Sequence, residues 1–159
     1  MEHKLFNEID KFEAWSKVVL SEPSRISAEW ETDYPDWSAI EEHFEDLVRS
    51  TMPSSWSDHD MDRLSYIIAR DIEDGRLMRV LPDDPLVCLA EYALSKGERN
   101  TRWQMALELP RLVDKTRAAA LIERYTNDPE GEVKQIALHA LAAVKKGEVL
   151  SYKDISGGA

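Results

Sequence analysis

In DPEGEVKQIALHALAAV, residues 128–144, the apolar positions Val133, Ile136, Ala137, Ala140, Leu141 and Val144 recur at intervals of three and four. That spacing collects them on one stripe of an α-helix about three turns long. Asp128 reads as its N-cap, Pro129 takes the first helical position, and Glu130 and Glu132 suit the positive end of the macrodipole. Lys145 and Lys146 suit the other end, and Gly147 supplies the stop. The same pattern runs upstream. DKTRAAALIERYT places Ala118, Leu121, Ile122 and Tyr125 on one face. NTRWQMALEL ends at Pro110, and DPLVCLAEYALSK ends at Gly97. Connections this short force neighbouring helices to pack antiparallel.

The N-terminal half is read in the same way. SDHDMDRLSYIIARDIEDG is a helix capped by Ser57 or Asp58, with Leu64, Ile67, Ile68 and Ile72 as its apolar face. DWSAIEEHFEDLVRS is another, through Ile40, Phe44, Leu47 and Val48. NEIDKFEAWSKVVL follows less cleanly through Ile9, Phe12, Val18 and Val19. No alternating run carries a hairpin signal. The pattern predicts an all-α chain of about seven helices.

Shifting the chain by 31 positions lays Gln104 over Gln135, Met105 over Ile136, Ala106 over Ala137, Leu107 over Leu138 and Val113 over Val144. With the alternating helix lengths, this suggests a repeated helical hairpin. NDPEGEVKQIALHALAAV resembles the second half of a HEAT repeat: an Asn-Asp-Pro turn, a Val-Lys pair, then Ala-Leu-x-Ala-Leu. ERNTRWQMALELPRLV looks like a degenerate copy, with Pro110 stopping its helix early. The resemblance covers residues 84–146 well and 58–83 loosely. It implies a short right-handed stack of antiparallel hairpins, a HEAT-like α-solenoid. One domain is expected over residues 1–150, with a flexible tail over 151–159.

Charge narrows the function. With 31 acidic against 20 basic residues the net charge is −11, which argues against nucleic acid and against anionic lipid. Such a field favours basic partners and speeds their encounter. No apolar run approaches the ~20 residues that span a bilayer, and MEHKLFNEIDKF lacks a signal-peptide core. A single cysteine, Cys88 in LVCLAEYAL, reads as a small buried hydrophobe. The chain is therefore expected in the cytoplasm.

Catalytic spacings are missing. None of His3, His43, His59 and His139 lies in an HExxH arrangement, and there is no glycine-rich phosphate loop or nucleophile elbow. DHDMD offers Asp58, His59, Asp60 and Asp62 as metal ligands, but acids in a helix's first turn are also what the macrodipole favours. The capping reading is preferred, with no metal, cofactor or catalytic residue assigned. In ARDIEDGR, Arg70, Asp71, Glu73 and Asp74 are placed opposite the apolar face, either bridged to Arg70, Arg76 or Arg79 or kept negative for a partner.

The most unusual stretch is EWETDYPDW, residues 29–37. From Glu29 to Asp46 there are eight acids and no lysine or arginine. Trp30, Tyr34 and Trp37 can cover the end of a helical stack, with Asp36 capping the helix that follows. Folding does not call for the acids, whereas rings and carboxylates together make docking chemistry for arginine and lysine. A basic protein partner is therefore expected to meet Trp30, Glu31, Asp33, Tyr34, Asp36, Trp37, Asp71 and Glu73. Small acidic cytosolic proteins of this kind resemble immunity proteins, which neutralise a toxin. A HEAT-like enzyme or chaperone of the bilin lyase type, or a scaffold in a larger complex, are the alternatives.

Overall fold

The computed structural model describes residues 3–151 and Lys153. Among them are eight α-helices and no strand. They are α1 (Lys4–Leu20), α2 (Trp37–Ser50), α3 (Asp58–Arg70), α4 (Arg76–Arg79), α5 (Asp83–Lys96), α6 (Arg99–Glu108), α7 (Lys115–Tyr125) and α8 (Gly131–Lys146). Four 3₁₀ turns lie at Pro23–Arg25, Trp30–Asp33, Pro53–Ser55 and Leu109–Arg111. The tail expected over 151–159 falls outside the described residues, apart from Ser151 and Lys153.

One apolar cluster extends from Leu5 on α1 to Ala140 on α8. The faces predicted for α2 and α3 are its centre: Ile40, Phe44, Leu47, Leu64, Ile67 and Ile68 are wholly buried. Ser57 closes a capping box on α3, its hydroxyl accepting from the Asp60 N–H at 3.1 Å. Asp60 Oδ2 accepts in return from the Ser57 N–H at 2.8 Å. At the far end of α2, Thr51 Oγ1 donates to the Leu47 carbonyl and accepts from Trp56 Nε1. Ile72 lies beyond the end of α3 and is only half-buried.

α1 packs against α2 and α3; α5 pairs with α6, and α7 with α8. The two pairs touch through α5 with α7 and, more extensively, α6 with α8. Buried polar groups tie these helices. Gln104 Nε2 donates to the Ile68 carbonyl at 2.8 Å, and the Tyr125 hydroxyl donates to the Ala90 carbonyl at 2.6 Å.

Several expectations are corrected. Val18 points to water, and Leu5 and Phe6 instead complete the buried face of α1. α8 begins at Gly131 after an N-cap at Glu130, so Asp128 does not cap it. Asp128 is buried, its Oδ1 accepting from the Glu130 N–H at 2.9 Å while Arg102 engages both its oxygens. Of the positions 31 apart, Met105 and Ile136 are buried alike, as are Ala106 and Ala137, whereas the others differ. Gln104 and Leu107 are buried but Gln135 and Leu138 are exposed, and Val113 is exposed where Val144 is half-buried. The reason is packing: α6 meets α3, α4, α5 and α8, whereas α8 leans mainly on α6, α7 and the 3₁₀ turn at Leu109–Arg111.

Candidate functional site

The segment 29–37 folds as a 3₁₀ turn leading into α2, laid across α1. Phe12, fully buried on α1, is its anchor. Its ring centroid lies 5.0 Å from Tyr34, 5.3 Å from Trp37 and 6.2 Å from Trp30. Trp30 also stacks on Trp15 at 5.9 Å. Tyr34 is buried, while Trp15, Trp30 and Trp37 are half-buried against the core. Trp37 Nε1 donates to the Glu31 carbonyl at 2.7 Å and so folds the turn onto the start of α2. Burial raises the Tyr34 phenol above its ordinary pKa, and Asp36 and Glu8 add to that. Trp15, Trp30 and Trp37 are thus packing groups with one wet side, while Tyr34 is a core ring.

The eight acids divide into two groups. Three find bases elsewhere: Glu41 with Arg76, Glu45 with Arg49, and Asp46 with His3. Glu29, Glu31, Asp33, Asp36 and Glu42 make no ion pair among the described residues. Asp36 holds the N-cap position of α2, but its side chain makes no capping bond. Its carboxylate is left to the solvent.

Beside this surface a cleft of about 200 Å³ opens between α2 and the turn that links α3 to α4. Tyr34, Trp37, Glu41, Asp71, Glu73 and Asp74 line it, with Thr32, Arg70 and Arg76. It therefore joins four of the eight residues expected to meet a partner. Trp30, Glu31, Asp33 and Asp36 lie outside it. Gly75, at φ +58°, makes the turn that brings Asp74 and Arg76 to the rim. Arg76 donates from Nη1 to both Glu41 oxygens, at 3.0 and 3.1 Å, and approaches Asp74 at 3.3 Å. Arg70 is held on Glu98 and stacks 4.3 Å from the Tyr66 ring.

Asp71 is not on the polar face where the sequence placed it. It is only 7 % exposed, as the C-cap of α3, and its Oδ2 accepts from the Leu77 N–H at 2.8 Å. That bond fixes α4, which the sequence pattern did not reveal because four residues show no periodicity. Burial pushes the Asp71 carboxyl up to about 6, opposed by the Leu77 N–H and reinforced by Glu41 and Asp74.

The DHDMD segment supports the capping reading. Asp60 is in the capping box, Asp58 pairs with Lys96, and Asp62 accepts from the Tyr92 hydroxyl. Among the described residues no group of three or more histidine, cysteine and acidic side chains is arranged to hold a metal ion. Cys88 is half-buried, and burial, with Glu91 nearby, raises its thiol above the ordinary range. Among the described residues, no helix is long and apolar enough to cross a membrane. Comparison with protein-family models, curated proteins and solved structures finds no match to this chain.

Proposed function

We propose that this chain is an acidic protein-binding module of the cytosol, an immunity-type inhibitor that neutralises a basic toxin or enzyme by covering it. The frame in this reading is a HEAT-like right-handed stack of helical hairpins. The pairing of α5 with α6 and of α7 with α8, and the contacts of α6 with α8 and α5 with α7, support it. The observation that carries the function is the set of four carboxylates, Glu29, Glu31, Asp33 and Asp36, left without ion pairs in the segment that holds half-buried Trp30 and Trp37, with Glu42 a further unpaired acid on α2. Mutual repulsion makes such a group a cost to folding, and a basic partner turns it into attraction. The half-buried rings supply apolar contact at the same place.

The test replaces Glu31, Asp33 and Asp36 together with lysine. Wild type and variant serve as baits in a lysate of the source organism, and any basic protein retained by the wild type is purified. Its association with both forms is then timed at low and high salt. The variant is expected to fold, since surface changes cost within ~0.5 kcal/mol each. Its association rate should fall by about tenfold or more at low salt, with a smaller loss at high salt. A partner that binds both forms equally fast and equally tightly, or capture of no basic protein, removes the reading.

A further inference from the structure

The cleft beside α2 contains an arrangement that the docking reading does not use. Asp71 lines it, nine-tenths buried, its carboxylate accepting from the Leu77 N–H and stabilised also by the Arg76 backbone N–H. Facing it are Glu41 from α2, Glu73 and Asp74 from the turn, and Arg76 from α4; Arg70 on α3 and the Tyr34 phenol complete the lining. The cationic side chains are committed elsewhere. Arg76 is spent on Glu41 and Asp74, and Arg70 on Glu98. No base forms an ion pair with Asp71 among the described residues.

Four carboxylates around a small cleft, one of them out of water, do not all ionise at the same pH as free side chains. The most buried member, Asp71, is the one that keeps a proton, because it is the most poorly hydrated on ionising. Its position matters as much as its charge. Asp71 ends α3 and holds the first turn of α4 through Leu77, so its ionisation acts on the joint between two helices.

We infer that Asp71 is a proton-operated element at the α3–α4 joint, neutral in mildly acidic conditions and charged near neutrality. Charging it makes the cleft more negative while strengthening its acceptor bond to Leu77. Because its folded pKa of about 6 lies above the unfolded value, the folded chain holds more protons between roughly pH 4 and 6. Stability therefore falls as pH rises through that window and stays lower above it. A cation entering the cleft would favour the charged form and release the proton. This last consequence rests on the docking reading; the proton on Asp71 does not.

The test uses the free protein. In the wild type, the Leu77 amide signal followed by NMR is expected to inflect near pH 6, well above the ordinary carboxylate range. Asp71→Asn keeps an acceptor for Leu77 but cannot ionise. Its melting temperature relative to wild type should climb between pH 4.5 and 6.5 and level off about 5 °C higher or more. Glu41→Gln should move the Leu77 inflection to lower pH, because the Glu41 charge is one of those holding the proton on Asp71. A Leu77 inflection near pH 4, or Asp71→Asn and wild-type melting curves that run parallel across the range, overturns the inference. Should Asp71→Asn fail to fold, the wild-type and Glu41→Gln titrations decide it. None of these readouts involves a partner, so failure here is distinct from failure of the docking proposal.

Discussion

Arg102 and Asp128 illustrate how one residue type serves two purposes. Sequence logic made Asp128 a helix cap, since an aspartate before a proline at a helix start has that role. In the fold its side chain is almost wholly buried and bound by Arg102 at 2.7 and 3.2 Å, and Arg102 also donates to the Gly97 carbonyl. The pair therefore joins the α5–α6 connection to the α7–α8 connection. Asp128→Ala leaves a partly buried guanidinium without its carboxylate, though still bonded to the Gly97 carbonyl, and should cost about 2–3 kcal/mol, read from the urea midpoint. Replacing both residues with apolar side chains of similar size should cost less than the single change.

Among the helices, amphipathic pattern and caps were informative wherever one face met the core. α2 carries its predicted buried stripe and α3 carries three of its four predicted positions, Ile72 falling beyond its end; of the two candidate caps, Ser57 caps α3. Ser57→Ala should lower stability by about 1 kcal/mol, measurable by denaturant unfolding, with little change in helix content. α4 was not legible, for a helix of four residues has no independent stability and exists through Leu77 and Met78 buried beneath it. α6 was legible as a helix, and its Met105 and Ala106 are buried like Ile136 and Ala137 at the matching positions of α8. Neighbours on several sides also bury Thr101, Trp103, Gln104 and Leu107, so the rest of its pattern departs from that of α8.

Across the whole molecule, charge and rings are unevenly placed. Residues 1–98 hold 23 of the 31 acids but only half of the 20 bases. The aromatic cluster around Phe12 lies in this acidic part, joining Trp15 on α1, Trp30 and Tyr34 before α2, Trp37 on α2 and Tyr66 on α3. Phe12→Ala should cost about 3–5 kcal/mol and flatten the near-ultraviolet circular dichroism of the tryptophans, because it removes the ring the others pack on. Far-ultraviolet helix content should change much less. If Phe12→Ala leaves the near-ultraviolet spectrum unaltered, the cluster is not organised around Phe12.

The all-helical class and the cores of α2, α3, α7 and α8 were determined by the sequence alone, because apolar spacing and short connections act locally. EWETDYPDW stood out in the sequence as rings among acids, and Asp71 and Glu73 as acids at a helix end, although Asp71 was read on the polar face and is buried. Their arrangement was decided by tertiary structure. Only the folded chain shows that Tyr34 and Trp37 share a cleft with Asp71 and Glu73, while Trp30 stacks away from it on Trp15. Only the fold separates the acids that gain arginine or histidine partners from the five that do not. The physical reason is range: helix period and capping act within about four residues, whereas burial and pairs such as Glu41 with Arg76 and His3 with Asp46 join segments 35 and 43 positions apart.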